Sequence, residues 1–273
     1  MIIIGEKVNA TRKRVKRALE QRDEGWLRDL ITAQAEAGAR YIDLNVGTGS
    51  GSAAEEIEAM RWLIDLTLDA TDKPLCIDSA DLKVLTAAAE HLAGRRDWML
   101  NSIKGEQQAL DECLPLVAEH GVPFVALAMD EDGIARDVES RLAVCHKIFA
   151  AAEARGIEGD KIFFDPLVMP VVTDISQGRV TCECLRAIGQ RLPDCKTVLG
   201  LSNVSHGLPA RKQLNQGFLI SALMFGLDAA ILDPTDSAIR AGVAIGEALA
   251  GKDRNCRRYA RAYRQGLLGG PNK

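Results

Sequence analysis

The chain has 273 residues, 47% hydrophobic and 26% charged, with a formal net charge of −4. That composition belongs to a globular protein with a sizeable core, and its weakly acidic balance excludes a general drive toward nucleic acid. The seven cysteines are scattered, and a chain of this size needs no disulfide framework.

In chain order, the opening Met1-Ile2-Ile3-Ile4 is too short for the apolar core of a secretory signal and stops at Gly5-Glu6-Lys7. No apolar run approaches the length of a membrane span. With reduced thiols, these features predict a cytoplasmic protein with no membrane association. Eight short apolar runs then recur, each halted by a polar residue. They are Ile2–Ile4, Tyr41–Ile42, Leu75–Ile77, Trp98–Leu100, Phe124–Leu127, Ile162–Phe164, Val198–Leu199 and Ala229–Leu232. Their spacing of roughly 32 residues is the length of a strand–helix unit.

Between the runs the period turns helical. Ile57, Met60, Ile64 and Leu68 fall at steps of three and four, as do Val138, Leu142, Cys145 and Phe149. Segment 213–227 is apolar nearly all round and predicts a helix buried on more than one side. The stretch 218–232 fits barrel core or a subunit interface equally well. Gly38, Gly121, Gly156 and Gly226 stand where helix C-caps belong. Cys182 and Cys184, the one close pair, lack a second pair to complete a zinc site and read as helix-face thiols.

Eight strands alternating with helices predict an α/β protein, a single-domain (β/α)8 TIM barrel spanning residues 1–273. A doubly wound open sheet is disfavoured, because no Gly-x-Gly-x-x-Gly turn follows the first strand. Barrel enzymes gather their chemistry at the C-terminal ends of the strands. Here those ends carry Glu6, Asn9, Asp43, Asn45, Asp78, Asn101, Asp165, Ser202, Asn203 and Asp233. Any one of these could simply cap the next helix. A whole rim of carboxylates and amides instead repels phosphate and suits a donor-rich heterocycle, such as the 2-amino-4-oxo edge of a pterin. His91, His120, His146 and His206 are dispersed and the cysteines form no cluster with them, so no metal site is expected.

Several motifs carry a family resemblance. Gly5-Glu6-Lys7-Val8-Asn9 resembles the Gly-Glu-Arg-x-Asn opening of pterin-binding methyltransferases. Asp43-Leu44-Asn45-Val46-Gly47, Cys76-Ile77-Asp78-Ser79, Asn101-Ser102, Asp165-Pro166-Leu167 and Gly200-Leu201-Ser202-Asn203-Val204-Ser205 follow in that family's order. The resemblance runs to about Asp233 and is strongest to methyltetrahydrofolate:corrinoid/iron–sulfur protein methyltransferase, with the methyltransferase components of corrinoid-dependent demethylase systems beside it. It implies a dihydropteroate-synthase-like barrel that moves a methyl group between N5 of tetrahydrofolate and the cobalt of a corrinoid (cobalamin) held on a partner protein, in a direction the sequence leaves open.

By matched position, the resemblance implies that Asp78, Asn101 and Asp165 hydrogen-bond the pterin and that Asn203, the catalytic residue, approaches N5. Gly200 and Ser202 would shape the loop beside it, Asp43 and Asn45 would support the floor, and Arg211 would stand at the mouth. Lys7 departs from the family's arginine. No Asp-x-His-x-x-Gly corrinoid-binding motif occurs in the chain, so the corrinoid belongs to a partner docking on the C-terminal face. A homodimer is implied by the resemblance alone. The basic segment Arg12–Arg17 reads as a solvated helix face, or as an attractor for the folate glutamate tail or an acidic partner. The competing readings are a dihydropteroate-synthase-like pterin C–N transferase, which would want a lysine after the seventh strand, and a non-catalytic folate-binding barrel.

Overall fold

The structure is a computed structural model that describes residues 1–47 and 52–269. Of the tail Gly269–Lys273, all but Gly269 lies outside the described residues, so the predicted 1–273 domain is seen over the described residues alone. Its eight parallel strands are β1 (Ile2–Asn9), β2 (Tyr41–Asn45), β3 (Leu75–Asp78), β4 (Trp98–Lys104), β5 (Phe124–Leu127), β6 (Ile162–Asp165), β7 (Lys196–Thr197) and β8 (Ala229–Leu232). They pair in sequence order, and β1 also pairs with β8. Past Thr197 the chain leaves the β6 ladder for β8. Val198 N donates to Phe164 O at 2.9 Å, Ile231 N donates to Leu199 O at 2.9 Å, and a parallel bridge links Gly200 to Ile231. The barrel closes through these contacts. The predicted seventh run therefore forms a strand that changes partners, and its regular ladder is short.

The helices are α1 (Lys13–Glu20) and α2 (Glu24–Glu36), then α3 (Ala53–Ala70), α4 (Leu82–His91), α5 (Gln107–His120), α6 (Val138–Glu153), α7 (Gln177–Arg191), α8 (Arg211–Met224), α9 (Ser237–Leu249) and α10 (Arg257–Arg264). The first crossover holds two helices and α10 follows the barrel, which accounts for the length beyond eight minimal units. Ser52 opens α3 with a reciprocal capping box to Glu55. The four glycines expected at helix ends all have positive φ, from 63° at Gly121 to 105° at Gly226. Among the described residues no helix is long and apolar enough to cross a membrane.

In α8, Phe218, Leu219, Ala222 and Leu223 turn inward, while Met224 is 52% exposed. The helix also makes a second contact, with α9. Gly242 and Gly246 of α9 let the two helices close together, and a β-carbon on Gly246 would collide with Leu223 Cδ1.

Strand alternation divides the core. Most buried side chains fill the layer between sheet and helices. A separate cluster of Ile4, Cys76, Met99, Val125, Phe163, Val198 and Ala229, joined by Leu127 and Ile231, fills the barrel interior. Adding two residues to an interior position reaches the next layer on the same side of the strand. From Ile4, Cys76, Met99, Phe163, Val198 and Ile231 that step lands on Glu6, Asp78, Asn101, Asp165, Gly200 and Asp233. An apolar plug thus lies beneath a polar layer, and the polar layer is the floor of the barrel mouth.

Candidate active site

Neighbouring strands bring the predicted rim residues into contact. Asn45 pairs in register with Asp78, and Asp78 with Asn101. Asn45 Nδ2 donates to Asp78 Oδ2 at 2.8 Å, while Asn45 Oδ1 accepts from Gly47 N at 3.0 Å. Asn101 Nδ2 donates to Asp43 Oδ1 at a long 3.4 Å. These bonds use one N–H of each amide and leave Asn101 Oδ1 and Asp78 Oδ1 without a hydrogen bond among the described residues. The wall therefore presents acceptors.

Burial sets the charge of this wall. Asp43 is 1% exposed, and burial together with the neighbouring Asp78 raises its pKa well above the usual carboxylate value, against hydrogen bonds from Cys76 and Asn101. Burial and the Asp78 charge thus shift Asp43 toward its protonated form relative to an exposed carboxyl. Burial also raises Asp78, and the hydrogen bond from Asn45 opposes it. Asp165 is pushed up to about 6 by burial, against hydrogen bonds from the backbone N–H groups of Leu167 and Gly200 and the charge of Arg141. Near neutral pH it is mainly ionised.

The segment after β7 forms a short 3-10 turn, Leu201–Ser205. Asn203 is exposed on it, and its side chain makes no hydrogen bond among the described residues. Gly200 leaves this amide its space, because a β-carbon there would stand 3.2 Å from Asn203 Nδ2. Arg211 clamps the turn from the start of α8, donating through Nε to Ser205 Oγ at 3.0 Å and through Nη2 to Ser202 O at 2.7 Å. Arg211 also lines a cleft of about 450 Å³ beside the mouth, with Glu6, Arg12, Ser202 and Asp233. Burial raises the pKa of Glu6, opposed by Arg12 and helped by Asp233.

Lys7 and Asn9 lie apart from the acceptor wall. Lys7 pairs with Asp233 at 3.1 Å and Thr235 Oγ1 at 3.2 Å, tying the end of β1 to the end of β8. Gly5 precedes it because Gln34 of α2 fills the space of a side chain, its Oε1 lying 2.6 Å from where a β-carbon would be. Asn9 Oδ1 caps the following turn at Thr11. In the basic segment, Arg12 pairs with Glu6 and Arg14 with Asp23. His91 pairs with Asp65, and His120 packs edge-on against Trp98, so neither faces the mouth. Among the described residues no group of three or more His, Cys, Asp or Glu could hold a metal ion. All seven cysteines are free.

Pattern reasoning did not single out Arg141 and Gln177. Both are 1% exposed and lie under the loops after β5 and β6. A charged residue amid Leu142, Val144 and Cys145 was the only available signal.

Residues 5–233 match the pterin binding enzyme family. The chain is 37% identical over 271 residues to methylcorrinoid:tetrahydrofolate methyltransferase of Eubacterium limosum, and the match covers 98% of each. It is 32% identical over 246 residues to methionine synthase of Mycobacterium tuberculosis, a match to 85% of this chain and 20% of that protein. In fold it resembles the Yersinia pestis dihydropteroate synthase bound to a pterine–sulfa conjugate, with a TM-score of 0.69, 18% identity, and 92% and 93% of the two chains covered. The Stenotrophomonas maltophilia dihydropteroate synthase with bound imidazole gives a TM-score of 0.67 at 20% identity, covering 91% and 92%. At these identities the structural likeness speaks for the fold alone.

Proposed function

This chain belongs to the pterin-binding enzyme family, and we propose that it is a methyltransferase acting between N5 of tetrahydrofolate and the cobalt of a corrinoid carried by a partner protein. The observation that carries this reading is the full-length relative, matched over 98% of both chains and named for that reaction. The proposed direction is the one in that name, from methylcorrinoid to tetrahydrofolate. The same site must serve both directions, since each reaction retraces the other's path.

The chain's own groups have distinct tasks in this reading. Asp78, Asn101 and Asp165 accept hydrogen bonds from the N–H groups of the pterin, as the acceptor-rich wall suits. Asp43 and Asn45 hold Asn101 and Asp78 in orientation from below. The corrinoid arrives as a substrate and supplies the cobalt that gives up or accepts the methyl group. At N5 the reaction exchanges a proton for a methyl group, and the Asn203 amide is the group placed to hydrogen-bond that nitrogen as its charge changes. Gly200, Ser202 and Arg211 set the position of the loop that carries the amide.

The partner has to cover the mouth for cobalt to reach N5. Ile175, 93% exposed, and Val172, 55% exposed, stand on the loop after β6 at that face and suit a protein contact. A homodimer is the expected assembly from the resemblance, to be checked by sedimentation. Ser202-Asn203 after β7, where a pterin C–N transferase would want a lysine, favours this reading over that one.

The test is to mix the protein anaerobically with methylcobalamin and tetrahydrofolate, and separately with cob(I)alamin and methyltetrahydrofolate, and to follow the corrinoid absorbance. Methyl transfer in either mixture supports the reading, and the relative rates address direction. Failure of both, with no pterin binding by calorimetry, would overturn it.

A further inference from the structure

A buried cation under the wall of the site makes no salt bridge among the described residues. Arg141 of α6 is 1% exposed, and no carboxylate forms a salt bridge with it among the described residues. Its guanidinium is spent on neutral acceptors instead. Nε donates to Ala135 O at 2.8 Å, Nη1 to Pro166 O at 3.0 Å and Leu167 O at 3.2 Å, and Nη2 to Gln177 Oε1 at 2.6 Å. Gln177, also 1% exposed, extends the clamp through Nε2 to Arg136 O and Asp174 Oδ2, both at 3.2 Å. One buried pair of side chains therefore joins the loop after β5, the turn after β6 and the start of α7.

Burying a charge without a direct salt bridge is costly, and an apolar side chain of similar length would pack this layer more cheaply. What the guanidinium achieves is local to Asp165. The two carbonyls it holds belong to Pro166 and Leu167, the residues directly after that carboxylate. Leu167 has φ +64°, a left-handed conformation uncommon for a residue with a β-carbon. In that conformation its N–H donates to Asp165 Oδ1 at 2.7 Å. The clamp fixes the turn, and the turn fixes one carboxylate oxygen and with it the rotamer of the whole group.

We propose that Arg141, locked by Gln177, is a positioning residue for the reaction: it fixes the rotamer of the Asp165 carboxylate and adds a positive charge to the backbone N–H groups that favour its anionic form as an acceptor for the pterin. The pterin half of this statement rests on the function proposed above, whereas the effect on Asp165 does not. The groups facing Asp165 are Arg141 and the Cys145 thiol from α6, and the backbone N–H groups of Leu167 and Gly200. Arg141 is the one cation among them.

The test separates the two dependencies. The titration of the Asp165 carboxyl is read by carbon NMR on the ligand-free protein, assigned with Asp165→Asn, in wild type, Arg141→Gln and Arg141→Lys. The midpoint is expected to move up in Arg141→Gln and to stay near the wild-type value in Arg141→Lys, which keeps the charge without the fork. Tetrahydrofolate binding at pH 7 is expected to weaken by about tenfold or more in Arg141→Gln. An unchanged midpoint in a folded Arg141→Gln chain overturns the inference. If that variant does not fold, Arg141→Lys decides: tetrahydrofolate affinity and pterin pH profile both equal to wild type overturn the positioning role, and weakened binding with a wild-type midpoint supports it. If wild type binds no pterin while the Asp165 midpoint still follows Arg141, the proposed function fails and the electrostatic link stands.

Discussion

Asn203 Nδ2 stands 3.2 Å from the place where a β-carbon on Gly200 would lie. That gap is tighter than an ordinary van der Waals contact, so even one methyl group at position 200 pushes the amide aside. Gly200 has φ −78° and ψ 94°, a backbone conformation open to any residue. The glycine is therefore needed for the space and not for the turn. Gly200→Ala is expected to fold normally and to bind tetrahydrofolate within a few-fold of wild type. Methyl transfer should fall by on the order of ten- to a hundredfold, because small displacements of a positioned group are costly in rate. Single-turnover kinetics beside calorimetry would check this split, and an unchanged rate would detach Asn203 from the chemistry.

Asn203→Ala removes the amide itself. An exposed side chain with no hydrogen bond among the described residues contributes little to folding. The melting temperature should change by no more than a few degrees. If the amide strengthens its bond to N5 in the transition state, kcat should drop by roughly 10²–10³-fold, the cost of removing one preorganised donor, with folate affinity nearly preserved. Equal losses in affinity and in kcat/KM would instead mark Asn203 as a ground-state contact.

The barrel was legible in the sequence because its signal repeats. Each apolar run stops at a polar residue, and the stop marks the top of a strand. Asp78, Asn101 and Asp165 could be read for the same reason, since each sits two residues past a buried interior side chain. The partner change of β7 could not be read: Val198 and Leu199 look like any strand, and only the closure of the barrel decides which neighbour they bond. Arg141 and Gln177 were missed because one falls within an apolar face and the other at a helix start, positions where a pattern assigns packing and solvent respectively. Gln34 escaped for a similar reason, as its task of filling the space beside Gly5 belongs to tertiary structure.

The closeness of α8 and α9 makes a separate prediction about stability. A β-carbon on Gly246 would overlap Leu223 Cδ1 and would lie 3.2 Å from Leu223 Cβ and 3.4 Å from the Ile220 backbone. The leucine tip can rotate away, but the tight contact with Leu223 Cβ remains. Gly246→Ala is expected to destabilise the fold by about 1–3 kcal/mol through overpacking, despite the better helix propensity of alanine. Chemical denaturation would measure this. Because Leu223 and Gly246 lie near the C-terminal ends of these helices, away from Arg211 and the Asn203 turn, activity per folded molecule should not change.

Asp165 joins stability and binding with opposite signs. Its pKa is about 6 in the folded chain, against 3.8 for an unperturbed aspartate, and burial is the cause. Between those values the native state holds the proton more firmly than the unfolded state does. Stability contributed by this group is therefore full below about pH 4 and declines as pH rises through about 6. Asp165→Asn removes the titration and keeps an oxygen for the Leu167 N–H. It is expected to be more stable than wild type at pH 8 by on the order of 1–3 kcal/mol, with the difference vanishing near pH 4. Pterin binding should run the other way. In wild type the affinity for tetrahydrofolate should fall as pH drops below about 6, by up to tenfold per pH unit, because the anion is the better acceptor. In Asp165→Asn the affinity should be low and should lose that pH dependence. Denaturation and calorimetry across pH 4–8 on both proteins would check the two trends together. A variant that is no more stable at pH 8, yet binds pterin with the wild-type pH profile, would show that another group governs the acid limb. Such a balance is what a binding carboxylate buried at the top of an apolar plug should display: the low-polarity surroundings that strengthen its hydrogen bonds to a ligand also make its charge expensive to maintain when no ligand is present.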